Sequence, residues 1–217
     1  MRARILISLL TLLTLGTPAL AAPRTAPATA SAEKLARPAG DPREIVARTS
    51  GQIVSIAHKA KDQASMLADM TTVLDEMLDY DTFAERTLKG TWDTLTPDQR
   101  ERFIEKFKQL IIKVYARRFK PGVQFTVTDR GPTEWKGDDK SEGDVKTVIS
   151  GNKVTADVDY HFGIARVDGK PQWRASDIVI DGVSMMFNWR AQFRSVIQKR
   201  GFDALLEKID KRIQQDD

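Results

Sequence analysis

The apolar period of this chain switches at Pro121-Gly122 from that of a helix to that of a strand, and switches back beyond Gly182. Period decides which face a segment can bury: 3.6 residues for a helix, two for a strand. Before the first switch the chain reads as helices. Glu44 to Lys61 carries Ile45, Val46, Ile53, Ile56 and Ala57 at helical spacing, behind an Asp41-Pro42 start. Ala64 to Leu78 repeats the pattern with Leu67, Met70, Val73, Leu74 and Met77. Asp81 is expected to cap a short third helix through Phe83 and Leu88, ending at Gly90. Thr96-Pro97-Asp98-Gln99 is the clearest start: Thr96 as N-cap, Pro97 at N1 and Gln99 closing a capping box. That helix is expected to run to about Phe119, with a stripe of Phe103, Phe107, Leu110, Ile111, Val114 and Tyr115.

Between the switches the residues alternate. Val123, Phe125 and Val127 form the first strand, and Gly131 to Gly143 reads as a polar connecting loop carrying Trp135. Val145 to Ile149 is the second strand, turning at Gly151-Asn152 into a long third strand. There Val154, Ala156, Val158, Tyr160, Phe162 and Ile164 make a dry face, and Asp157, Asp159 and His161 a wet one. Asp168-Gly169 turns it into the fourth strand, Gln172 to Ile180. Then Gly182 supplies a turn and Ser184 an N-cap hydroxyl. The next helix is apolar at Met186, Trp189, Phe193, Val196 and Ile197 and stops at Gly201; a last helix runs from Phe202 to Ile213. Helices, then an antiparallel meander of about four strands, then two helices specify an α+β fold with helices packed on one face of the sheet.

The ends are read separately. Met1 to Ala21 has the pattern of a signal peptide: Arg2 and Arg4, an apolar run from Ile5 to Leu15, then Ala19-Leu20-Ala21 as a cleavage site. The run is short of the roughly 20 residues a spanning helix needs. Ala22 to Asp41, rich in Ala, Pro, Thr and Ser, reads as a disordered leader. Residues 42–217 are then a single domain, expected to be exported and soluble. The chain has no Cys, which excludes disulfides, thiolate catalysis and zinc–sulfur sites. Its formal charge is +4, with acids and bases interspersed rather than gathered into a nucleic-acid footprint.

Candidate chemistry is sparse. His58 and His161, the two histidines, are assigned to a helix and to the wet strand face, where a lone surface histidine is the ordinary case. Asp157 and Asp159 share a strand face and could serve acid–base work or Mg²⁺, but alternation points them to solvent. Ser184 lacks a G-x-S-x-G elbow and reads as a helix cap. Asp177, interrupting an apolar strand, reads as an acceptor for backbone or helix-end donors. No P-loop and no G-x-G-x-x-G occurs, so nucleotide binding has no support. No cofactor, metal or catalytic residue is expected.

What remains is apolar: Phe107, Ile111, Val114 and Tyr115 on the long helix; Val158, Tyr160 and Phe162 on the long strand; Trp173, Met185, Met186 and Phe187 around the turn. Periodicity does not separate a filled core from one that leaves a cavity. An ordinary core is the favoured reading on pattern alone, while the length of these surfaces and the adaptable Met185-Met186 pair push towards a cavity.

Trp173 with Asp177, then Gly182-Val183-Ser184-Met185 and Gly201 with Leu205, resemble the closing motif of the MlaC family. These are periplasmic phospholipid-binding proteins of the Mla lipid-transport system, also called toluene-tolerance auxiliary proteins. Gly90, Trp92, Thr96-Pro97, Gln99-Arg100, Phe103, Phe107 and Tyr115 are similar to that family's central helix. The similarity extends from about Asp41 to Ile213. Hopanoid-associated HpnM proteins share the pattern. The resemblance implies a curved, NTF2- or cystatin-like sheet against helices, enclosing an apolar cavity for phospholipid tails. It implies a periplasmic shuttle between an outer-membrane lipoprotein complex and an inner-membrane ABC transporter with an MCE subunit, and no enzyme activity, although curved-sheet α+β domains also host enzymes. The lipid-binding residues expected from it are the apolar set above without Met186, joined by Val127 and Val148. Of the bases Arg190 is the first candidate for a phosphate contact, but a solvated helix residue is the favoured reading of it. Lys89, Arg117, Arg118 and Lys120 are scattered bases with no phosphate-committed spacing.

Overall fold

The computed structural model describes residues 35–115, 119–151 and 154–215. The segment expected to be a signal peptide, most of the expected leader, Arg117, Arg118 and Asn152 lie outside the described residues. The elements are α1 (Pro42–Lys59), α2 (Gln63–Met77), α3 (Tyr80–Thr87), a 3-10 turn (Trp92–Thr94) and α4 (Pro97–Tyr115). There follow β1 (Thr126–Asp129), β2 (Glu134–Lys136), β3 (Glu142–Gly151), β4 (Val154–Val167), β5 (Lys170–Ile180) and β6 (Val183–Ser184), then α5 (Met185–Arg200) and α6 (Phe202–Gln214). This is the α+β order read from the sequence, with six strands rather than about four.

The helix starts are chemically explicit. Asp41 accepts from the Arg43 N–H at 2.8 Å, with Pro42 at the first helical position. The capping box closes reciprocally: the Gln99 N–H donates to Thr96 Oγ1 at 3.2 Å and the Thr96 N–H to Gln99 Oε1 at 3.0 Å. The third helix departs from expectation. Its cap is Asp79, whose side chain accepts from the Thr82 N–H at 3.0 Å, while Asp81 lies inside the first turn. Asp79 has the non-helical backbone a cap needs (φ −95°, ψ 87°), and its own N–H is tied to the Ala175 carbonyl at 2.8 Å.

The sheet is antiparallel in the order β1-β3-β4-β5-β6, with β2 also on β3. β1 and β2 lie along the same edge of β3, Asp129 opposite Thr147 and Glu134 opposite Asp144. The expected polar loop therefore contains a strand, because Trp135 carries edge pairing into it. Trp135 rests on Trp173, ring centroids 5.5 Å apart, with the Arg37 guanidinium 4.6 Å over its ring. Asp168 and Gly169, at φ 49° and 75°, form the β4–β5 hairpin turn. In β5 the register shifts beside Phe162, leaving Ser176 as an extra residue between Ala175 and Asp177.

Three apolar clusters hold the layers. Helices α3 to α6 enclose an aromatic core of Phe83, Phe103, Phe107, Trp189 and Phe193, with Phe103 stacked on Phe107 at 5.4 Å. The dry sheet face (Val145, Val158, Tyr160, Phe162, Trp173) packs with Val46 of α1 and Met77 and Leu78 at the end of α2. A smaller cluster joins Ala57, Met66, Met70 and Phe125, with Phe119 against Phe125 at 4.9 Å. Ile178 and Ile180 touch both larger clusters, so β5 is the seam between sheet and helical bundle.

Candidate functional site

A half-open pocket lies at the β1 edge of the sheet, between α1 and β1/β3. It has a volume of about 360 Å³ and is lined by Arg43, Val46, Ala47, Ser50, Gly51 and Val54 from α1. The sheet side contributes Phe125, Thr126, Val127, Asp129, Val145 and Thr147. This volume falls within the roughly 300–1,000 Å³ of small-molecule sites. On the helix side the rim is made of small residues, exposed Ala47 and Gly51 and half-buried Ser50, beside the inward stripe of Val46, Thr49 and Ala57.

Gly51 is the informative residue. A glycine inside a helix costs roughly 0.5–1 kcal/mol relative to alanine. It is tolerated where a neighbouring chain approaches too closely for a Cβ, but a Cβ built at Gly51 would meet no atom within 4 Å. Gly51 is exposed at the pocket's rim, where a side chain would project over the opening. By contrast, a Cβ at Gly151 would come within 2.8 Å of the Gln124 carbonyl oxygen and of Phe125 Cβ, so that glycine serves close packing.

The pocket has a polar mouth and a mostly apolar floor. Arg43 Nε lies 2.7 Å from Asp129 Oδ2 across the opening, both side chains more than 40% exposed, a pair worth at most about 1 kcal/mol. On the other face of the sheet Arg130 pairs with Asp157 at 2.8 Å, and the Thr133 hydroxyl bonds Asp41 at the start of α1. On the floor, Thr147 Oγ1 donates to the Val158 carbonyl at 2.9 Å. Tyr160 stands behind it; burial pushes its phenol above the ordinary range, and the hydroxyls of Thr147 and Ser50 act the other way. A second, shallower groove runs between Asp81, Trp92, Pro97 and the first turns of α4.

The apolar residues named from the sequence are distributed over several places. Val127 lines the pocket. Val158, Tyr160, Phe162 and Trp173 form the sheet core, joined to the pocket through Val145. Phe107, Ile111 and Met185 are buried in the helical core, with Val114 and Tyr115 packed against it, away from the pocket. Val148 stands opposite Asp157 and Thr128, in the row of the sheet that carries Asp144 and Lys146. Phe187 is exposed. Arg190 is half-buried, its Nε donating to the Arg86 carbonyl at 2.9 Å, so it caps α3. Sequence reading missed the α1 wall. The available signal was the set of small residues Ala47, Ser50 and Gly51 flanking the apolar stripe of α1.

The polar candidates have structural partners. Asp157 is paired with Arg130, and Ser184 caps α5, accepting from the Phe187 N–H at 3.0 Å. His161 Nδ1 lies 2.7 Å from Asp144, itself 2.7 Å from Lys136. Among the described residues no group of three or more His, Asp or Glu is placed to hold a metal ion. No helix among them is long and apolar enough to cross a membrane.

The MlaC protein family model matches residues 47–211, from α1 beside the pocket to the last turn of α6. The chain belongs to the MlaC family. Its fold is that of a phospholipid-binding protein from Ralstonia solanacearum, solved in complex with a phospholipid at 1.53 Å. The two align with a TM-score of 0.69 at 22% identity, over 80% of this chain and 97% of that one. No curated protein matches the sequence.

Proposed function

We propose that this MlaC-family chain is a periplasmic phospholipid-binding shuttle. It takes lipid tails into the pocket between α1 and the sheet and carries them between an outer-membrane lipoprotein complex and an inner-membrane ABC transporter with an MCE subunit. Family membership and a fold shared with a protein that holds a phospholipid support lipid as the ligand class. The observation that carries the reading is the pocket of about 360 Å³ between α1 and a strand wall that includes Phe125, Val127 and Val145. The thermodynamics fit a carrier. Each buried CH₂ is worth roughly 0.8 kcal/mol, so a sixteen-carbon tail gains about 12 kcal/mol over water. A bilayer offers it nearly the same, so uptake and release stay close to balance. A carrier also needs no acid–base machinery, in keeping with the structural use of Asp157 and Ser184.

The test is organic extraction and mass spectrometry of protein purified from the periplasmic fraction of cells expressing the full chain. Co-purified phospholipid of mixed head group, on a chain whose intact mass starts at Ala22, is the expected result. Protein without lipid, or carrying hopanoid alone, overturns the ligand class; retention of residues 1–21 in the membrane fraction overturns the location.

A further inference from the structure

Two large apolar side chains stand in water among the described residues, and they are neighbours. Val183 is 58% exposed and Phe187 is 59% exposed. Both are rigidly presented. Asp181 and Gly182, at φ 49° and 78°, make the tight turn that brings β6 back along β5, and Val183 pairs with Ile180. Phe187 sits in the first turn of α5, its N–H bonded to Ser184 Oγ at 3.0 Å. The Arg190 guanidinium lies 4.8 Å over its ring, anchored by the Arg86 carbonyl.

The charge on α5 has one sign. The sixteen residues of α5 include Arg190, Arg194, Lys199 and Arg200 and no Asp or Glu. Arg190 and Arg194 fall three and seven positions after Phe187, on the same helix stripe. The one carboxylate at the turn, Asp181, accepts the Asp157 N–H at 2.9 Å and offsets part of this positive charge. The opposite face of α5 (Met185, Met186, Trp189, Phe193) is buried in the protein's own core, so only the tip is free to enter an apolar medium.

We propose that Val183, Phe187 and the Arg190–Arg194 stripe dock the protein on an anionic lipid bilayer. The two apolar side chains enter the head-group zone and exposed Arg194 meets lipid phosphate, while Arg190, its Nε and Nη2 held by the Arg86 carbonyl, supports the Phe187 ring and adds positive charge. Two side chains make too small a dry patch for the buried core of a stable protein interface. They suit shallow insertion, where an aromatic tip and neighbouring cations act together. The site lies at the β6 side of the sheet and the pocket at the β1 edge, so the proposal holds whether or not the pocket takes a lipid.

The experiment is co-sedimentation of the mature chain with vesicles of phosphatidylcholine alone or mixed with phosphatidylglycerol. Binding is expected only with phosphatidylglycerol and is expected to weaken as salt shortens the screening length. Phe187→Ser should lower the association constant about tenfold, by loss of the inserted ring. Arg194→Glu should lower it about fivefold or more, since each base near an anionic surface contributes about 1 kcal/mol. Phe187→Trp should show a blue-shifted emission on phosphatidylglycerol vesicles, and Gly51→Leu should bind as wild type. Absence of wild-type binding at low salt, equal binding to phosphatidylcholine alone, wild-type binding by Phe187→Ser, or an unshifted emission spectrum from vesicle-bound Phe187→Trp protein would each overturn the proposal.

Discussion

The Asp177 carboxylate accepts the Met186 N–H at 3.0 Å, joining the end of β5 to the start of α5. Asp177 is buried, the same oxygen accepts the Ile178 N–H at 2.8 Å, and the other accepts the Ser184 hydroxyl. Ser184 Oγ in turn accepts from the Phe187 N–H. Two of the free N–H groups at the helix start are thereby satisfied by side chains that reach back to the strand. The strand–turn–helix around Gly182 is fixed by this network as much as by apolar packing.

Removing the carboxylate strands buried donors. Asp177→Ala leaves the Met186 N–H and the Ser184 hydroxyl without their acceptor, at roughly 1–3 kcal/mol for each buried group. Urea melts should show a loss of about 3 kcal/mol. Ser184→Ala, which removes a helix cap, should cost about 1 kcal/mol. The double variant should lose less than the sum, since both changes cut one network. Full additivity would mean that the two side chains act independently.

Gly51→Leu separates pocket from fold. Leucine is a better helix former than glycine by just under about 1 kcal/mol, and the first atom of its side chain meets open space. The melting temperature should hold or rise while co-purified lipid falls severalfold. A variant that melts as expected and carries wild-type lipid would place the ligand elsewhere.

Elements defined by period and caps were legible in the sequence: the capping box at Thr96 and Gln99, the Asp168-Gly169 turn, Ser184 as a cap and Asp177 as an acceptor of helix-end donors. Each is set by interactions within a few residues or by one buried polar group that must find partners. The site was less legible. Phe107 and Val158 both read as apolar and inward, yet they belong to different clusters, because the seam of Ile178 and Ile180 lies between sheet and bundle. Trp135 read as loop because a three-residue edge strand has too few residues to show a period. A pocket depends on what is missing from a surface, and only the small residues of α1 recorded it.

A pH effect follows from Asp144. Burial pushes its carboxyl up, but the hydrogen bonds and charges of His161 and Lys136 outweigh this and hold it below its ordinary value of 3.8. A group depressed in the folded state stabilises it above the unfolded pKa and loses that contribution as pH falls through the folded value. The difference in melting temperature between wild type and Asp144→Asn should therefore be full above 3.8 and shrink below it. A difference that stays constant down to about pH 2 would show that Asp144 acts only by packing.

Two tryptophan substitutions distinguish filled core from open pocket. Ile111 is buried within the aromatic cluster of α3 to α6, where Phe83 and Phe107 meet edge to face at 5.4 Å. An indole there has no free volume and must displace close-packed neighbours, which costs about 1–3 kcal/mol. Val127 is half-buried on the pocket wall, facing α1. An indole there has space to enter, so Val127→Trp should keep the wild-type melt and lower lipid occupancy. Ile111→Trp should melt earlier, and whatever fraction remains folded should carry lipid as wild type does. Thermal melts and lipid phosphorus on the same preparations read both effects. If Ile111→Trp sheds lipid at an unchanged melting temperature, the tails lie against α4 and the pocket beside α1 is not their seat.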